Sequence, residues 1–179
     1  MPGSRHLSQR ISEGDGIAII ARVEDADAAR LAEENGAKAI AVARAVDGIR
    51  AATTLPLLWI GPGRPHDADA HAVRPDEEPS GHGPEPVAEV RDAEELEEAL
   101  DLFDPEIFLL ACPEEDDEAD PLDAVLELLA DVPAGKLAIA HVEVASRDEV
   151  LALERAGMDA VLVPGGQVPE LVGHAPLDV

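Results

Sequence analysis

One alternation constrains this chain more than anything else: a short apolar run, then an amphipathic stretch of helical period, repeated almost end to end. The apolar runs are GIAIIARV (16–23), AKAIAVA (37–43), LPLLWIG (55–61), PVAEV (86–90), EIFLLAC (106–112), KLAIAHVEV (136–144) and DAVLVPGG (159–166), with ADAHAV (68–73) a weaker eighth. They are apolar at successive positions rather than at every second one. Such runs read as strands buried on both faces, as in a parallel sheet covered on each side. Between them, DADAARLAEENG (25–36), a short segment at 45–54, DAEELEEALDLFD (92–104), PLDAVLELLADV (121–132) and SRDEVLALERAG (146–157) read as helices. Their ends carry start and stop signals: Asp92 with Glu95 three residues on, Pro121 in a first turn, Ser146 as N-cap, and Gly36 and Gly157 as stops.

Strand–helix repetition demands a parallel sheet with helices outside it. The count reaches eight and no Gly-x-Gly-x-x-Gly follows a strand, which favours a closed (β/α)8 TIM barrel over an open doubly wound sheet. At 179 residues the chain is short for that fold, which runs from ~200 residues upward. The expectation is therefore a shortened α/β barrel in one domain spanning 1–179, with helices missing around 62–85. That stretch is rich in Pro, Gly, His and Asp and reads as irregular loop. With 2% aromatic residues and no Tyr, the core must be built from Ala, Val, Leu and Ile.

Charge narrows the partners. There are 39 acidic residues against 13 basic ones, a formal net charge of −26, which repels nucleic acid and anionic membrane surfaces alike. Two explanations of the acidity stand side by side: halophilic salt adaptation, or the composition bias of a GC-rich genome. The single cysteine, Cys112, excludes an internal disulfide framework, and its acidic neighbourhood disfavours a reactive thiolate. His66, His71 and His82 match no standard zinc spacing, so neither a metal nor another cofactor is expected. The N-terminal residues lack the apolar core of a signal peptide and no run approaches ~18 apolar residues, so a cytoplasmic location is expected.

ISEGDGIAIIARVED near the N-terminus and SRDEVLALERAGMDAVLVPGG near the C-terminus, with AEENGAKAIAV, LPLLWIG and PVAEVRDAEELEEAL in order between them, resemble the indole-3-glycerol-phosphate synthase family. The resemblance implies a ribulose-phosphate-binding type of barrel and a carboxy-lyase of tryptophan biosynthesis. It implies a lysine acid, proton-shuttling glutamates, and backbone amides near the last two strands that hold a phosphate. Position by position, little of that equipment is present. Arg22 and Glu24 stand where the family has Glu-x-Lys, and Trp59, Ile60 and Gly61 where it has Arg-Lys-Asp. Glu89 keeps a glutamate, with Arg91 in place of histidine. Leu110 and Ala111 fall at paired asparagines. Ala140, His141, Val142 and Glu143 replace Ser-Glu-Ser-Gly, and Pro164 and Gly165 replace Gly-Glu. What the resemblance implies is a divergent member, a possible pseudoenzyme, that is non-catalytic or repurposed.

Strand parity adds a reading of its own. Arg22 and Glu24, Glu89 and Arg91, and His141 and Glu143 are each two residues apart, so each pair points to one face of its strand. In the family's register all six face the barrel mouth. One reading is a site: Arg22, Glu24, Arg91, Gly165 and Gly166 hold an anionic, phosphorylated ligand, while Glu89, His141 and Glu143 move protons. The other is a neutralised ionic network that plugs the barrel without any ligand, and the near-balance of signs favours it. Three functions follow: a non-catalytic relative binding a small anion or a partner protein, an active lyase of tryptophan biosynthesis with a rebuilt site, or another small-molecule enzyme using Glu89 and His141. Missing helices would also bare the wall near 62–85, where a partner chain could dock. Trp59 either packs or lines the mouth.

Overall fold

All eight apolar runs form strands: β1 Ala18–Arg22, β2 Ala39–Val42, β3 Leu57–Trp59, β4 Ala70–Val73, β5 Glu85–Val90, β6 Ile107–Ala111, β7 Leu137–His141 and β8 Ala160–Pro164. The computed structural model describes residues 6–14, 16–65, 67–77, 83–113, 118 and 120–172. Each strand pairs in parallel with the next, and β8 pairs with β1, which closes the barrel. Followed round one circuit, the pairings slip by about eight residues, the stagger of a TIM barrel.

The helices are α1 Leu7–Ser12, α2 Ala26–Glu34, α3 Ile49–Ala52, α4 Ala93–Leu102, α5 Pro121–Leu129, α6 Arg147–Ala156 and α7 Val168–Val172. Caps fix where they begin. Asp25 accepts from the Ala28 N–H, Asp92 from Glu95, Asp120 from Leu122 and Ser146 from Glu149. The segment expected at 45–54 shrinks to the single turn of α3, which starts only after Gly48 turns the chain with φ 75°.

Among the described residues no helix lies between β3 and β4, or between β4 and β5, as the composition of 62–85 implied. A side chain braces the first connection instead. Arg50 of α3 reaches Asp69 at 2.7 Å and Asp67 at 3.4 Å, and Asp69 also accepts the Leu57 N–H at 2.8 Å. These bonds tie the incoming end of β4 to the start of β3.

Parity sorts the strand side chains into two cores. Facing outward under the helices are Ile19, Ile40, Leu57, Val90, Phe108, Ala140, Val163 and their neighbours two residues away. Facing inward are three layers, each drawn from alternate strands as in barrels of this size. They are Ala39, Ala70, Ile107 and Ala160; then Ile20, Leu58, Val87 and Ile139; then Ala41, Ala72, Leu109 and Leu162. In the third layer two alanines on one side leave room for two leucines on the other. α1 closes the N-terminal end with Leu7 and Ile11, both buried. Six residues with two apolar positions carry too little periodicity for that plug to be read from sequence. Among the described residues no helix is long and apolar enough to cross a membrane.

Candidate functional site

The next inward positions above the Ala41–Leu162 layer belong to the odd strands: Arg22, Ile60, Glu89 and His141. Here the interior turns polar. Three apolar layers form the floor, and the C-terminal mouth of the barrel begins on it. Just past their strands, Arg74 continues the inward parity of Ala70 and Ala72, and Arg91 that of Val87 and Glu89.

The start of α4 organises one side of this mouth. Glu95, in the first turn, takes the Arg91 backbone N–H at 2.8 Å on one oxygen and the Arg74 guanidinium at 3.3 Å on the other. Arg91 in turn reaches Glu89 at 3.4 Å, and both side chains are about one-fifth exposed. Burial opposes the charge on Arg74, but the hydrogen bond and charge of Glu95, with Asp76 and Glu89, outweigh it and raise its pKa. Arg74 and Glu95 are the residues that sequence reasoning missed. Reading 68–73 as a strand gives Arg74 its inward parity, whereas Glu95 was read only as a capping residue.

The opposite side is built by β7, β8 and β1. His141 ends β7 and is only partly exposed. Its pKa lies below the ordinary 6.5, first because burial penalises the imidazolium and then because Arg22 and Arg91 stand near it. Arg22 ends β1, is exposed, and makes no ion pair with any described carboxylate. Its register partner is Pro164, after which Gly165–Gln167 form a 3-10 turn leading into α7. A Cβ on Gly165 would stand 3.2 Å from the Arg22 carbonyl oxygen, whereas nothing lies within 4 Å of one on Gly166. The turn therefore packs against β1 and presents Gly166 to open space.

Of the residues singled out by parity, the structure brings Arg22, Glu89, Arg91 and His141 together at the mouth. Glu24 and Glu143 lie beyond the ends of β1 and β7, exposed, with no ion pair to a described cation. Among the described residues Arg91 and Arg74 have carboxylate partners and Arg22 has none. Trp59 does not line the mouth. It points outward from β3, is 5% exposed, and its Nε1 has no hydrogen-bond partner. His71 points outward on β4, and burial lowers its pKa against the pull of Glu77. His66 and His82 lie outside the described residues. Among those described, no three His, Cys, Asp or Glu side chains are grouped to hold a metal. The exposed large apolar side chains, Leu31 and Leu102, belong to α2 and α4, so the described part of 62–85 offers no apolar docking patch.

A cavity of about 1150 Å³ opens at the other end of the barrel between α1 and the starts of β4 to β7, with Ser8, Asp69, Glu85, Glu106 and Lys136 on its wall. TIM-barrel chemistry is built at the C-terminal face, so the mouth remains the candidate site.

No protein-family model matches the chain, and none of the curated proteins does. Solved structures do match. (S)-3-O-geranylgeranylglyceryl phosphate synthase from Thermoplasma acidophilum, in complex with its substrate sn-glycerol-1-phosphate, superposes with TM-score 0.66 at 14% identity over 93% of this chain and 97% of that one. Thiamine phosphate pyrophosphorylase from Pyrococcus furiosus gives 0.60 at 17%, over 87% and 89%. N-acetylmannosamine-6-phosphate 2-epimerase from Clostridium perfringens gives 0.62 at 15%, over 84% and 86%. These neighbours overturn the resemblance to indole-3-glycerol-phosphate synthase and with it the lyase of tryptophan biosynthesis. The quoted segments, such as ENGAKAI and AGMDAVLV, pair a glycine helix stop with an apolar strand. Any β/α barrel needs both, so they report the fold and not the family. At these identities the likeness likewise establishes the fold: this chain is a closed, eight-stranded parallel TIM barrel.

Proposed function

We propose that the C-terminal mouth binds a small anionic metabolite, a phosphorylated one foremost, with Arg22 as its principal grip. The observation that carries the reading is the exposed Arg22, which has no carboxylate partner among the described residues of a chain with three acidic residues for every basic one. Carboxylates are in such excess that an inward-pointing guanidinium would easily acquire one. Arg74 and Arg91 have done so. A guanidinium offers several donors in a fixed fork suited to phosphate or carboxylate. Beyond Gly165, which packs against β1, Gly166 leaves open space where a side chain would stand, room for a ligand to reach the backbone. The named neighbours support the reading, since each acts on or makes a phosphorylated compound, as its name says.

A second reading adds proton transfer. Burial and two arginines lower the pKa of His141, which suits a general base, and Glu89 shares its layer. Glu143 and Glu24, exposed past the strand ends, stand at the rim of such a site.

Calorimetric titration with inorganic phosphate and with glycerol phosphate tests the grip. Wild-type protein should bind, and Arg22→Gln should weaken binding by about tenfold or more, the worth of a charge-assisted hydrogen bond. Equal binding by wild type and variant would sink the proposal.

A further inference from the structure

We infer that an anion entering the mouth at Arg22 draws a proton onto His141, so that the ligand is held between a guanidinium and an imidazolium and a dianion is preferred to a monoanion. The inference rests on the anion-binding reading of the mouth. Its basis is the arrangement of three neighbouring strand ends. β7, β8 and β1 are adjacent in the barrel, with His141 at the end of the first and Arg22 at the end of the third. Both point inward on one layer, and the strand between them ends in Pro164 and Gly165, which carry no charge.

The groups around His141 decide its charge. β1 supplies Arg22; β5 supplies Glu89 and Arg91; Arg74 stands past the end of β4. β3, β6 and β8 present Ile60, Ala111 and Pro164, which are uncharged. Glu143 on its own segment is exposed. Glu89 is paired with Arg91 and Glu95 with Arg74, so among the described residues Arg22 is the cation near the ring that has no carboxylate partner. Burial first, and then the charges of Arg22 and Arg91, hold the His141 pKa below its ordinary value. An anion beside Arg22 cancels that repulsion and offers the protonated ring a partner, so both changes favour uptake. The proton comes from solvent or buffer and no bond in the ligand changes.

Sulfate is the probe, because it is a dianion that does not itself titrate near neutrality. Titrations in buffers of different ionisation enthalpy, from about pH 5 to 8, count protons taken up per sulfate bound. Nuclear magnetic resonance of the histidine ring protons follows His141 directly, assigned by its disappearance in His141→Gln. The expected result is uptake approaching one proton at the pH where the free ring is neutral. The His141 midpoint should rise on adding sulfate. His141→Gln should bind sulfate more weakly and take up none, and His141→Asn should repeat this if the first variant folds poorly. Sulfate binding with no proton uptake, or uptake that survives in His141→Gln, overturns the inference and leaves the anion site standing. No binding of sulfate overturns the inference; no binding of phosphate as well overturns the anion site too.

Discussion

Glu89 Oε1 and Arg91 Nη2 meet at 3.4 Å, two residues apart at the end of β5, and this pairing makes one wall of the mouth electrically self-contained. Among the inward-pointing cations of the mouth, Arg22 on β1 has no carboxylate partner among the described residues. Removing the Glu89 charge should therefore leave the mouth more positive and strengthen anion binding several-fold. Because both side chains are partly solvated, folding stability should change by no more than about 1 kcal/mol. Titration of Glu89→Gln with phosphate checks the first point and urea unfolding the second. Weaker binding would show that Glu89 touches the ligand or positions what does.

Arg22→Gln should separate function from stability in the opposite sense. An unpaired guanidinium at a barrel mouth contributes little to the folded state, so the urea midpoint should stay within about 0.5 kcal/mol of wild type. Phosphate binding should fall. A large loss of stability would show that Arg22 holds the barrel together and would remove the case for a ligand grip.

Much of this architecture was legible in the residues themselves. Runs such as AIIA in β1 and IFLL in β6 are apolar on both faces, and only a parallel sheet covered on each side needs that. Strand parity placed Arg22, Glu89, Arg91 and His141 on the inward face. It gave Glu24 and Glu143 the same inward direction, but both strands end before reaching them and the two carboxylates are exposed. Glu95 reads in the sequence only as part of a helix start, because its second role, holding Arg74, depends on a pairing between the end of β4 and α4 that is not encoded locally. Family assignment failed for a related reason: glycine stops and apolar strands are requirements of the barrel and recur in unrelated members of it.

Acid should destabilise the fold through His141. Its folded pKa is below the ordinary 6.5, so the unfolded chain binds the proton more readily. The stability from keeping the ring neutral is present above about pH 6.5 and is lost as pH falls through the folded value. Urea midpoints measured downward from pH 7 should drop, and His141→Gln should drop less over the same window. His71, also lowered, adds to the slope, so His71→Gln is the control. Identical slopes in all three proteins would assign the acid sensitivity to other groups.

Gly61 should tolerate no side chain. A Cβ there would fall 1.9 Å from the Ala43 carbonyl oxygen, and backbone on the neighbouring strand cannot rotate away as a side chain can. The end of β3 lies against that of β2, with the Ile60 N–H donating to the Val42 carbonyl at 2.9 Å. Gly61→Ala should push the two strand ends apart at the mouth and destabilise by about 1–3 kcal/mol, as overpacking does. A wild-type urea midpoint in this variant would mean the β2–β3 edge yields freely.

The acidity itself predicts opposite salt responses for folding and for binding. Self-repulsion in a chain of net charge −26 works against the compact state, and raising potassium chloride from about 0.1 to 1 M shortens the screening length from about 10 to 3 Å. The urea midpoint should therefore rise with salt while phosphate affinity at Arg22 falls, since the same screening weakens attraction. α4 offers a local check. Glu94 and Glu98, and Glu97 and Asp101, are exposed like charges one helical turn apart. Glu98→Lys turns one repulsive pair attractive and should stabilise by a few tenths of a kcal/mol at low salt. That gain should vanish near 1 M salt. A gain that persists would mean that it comes from packing or helix propensity, and that charge repulsion is not what limits the stability of this helix.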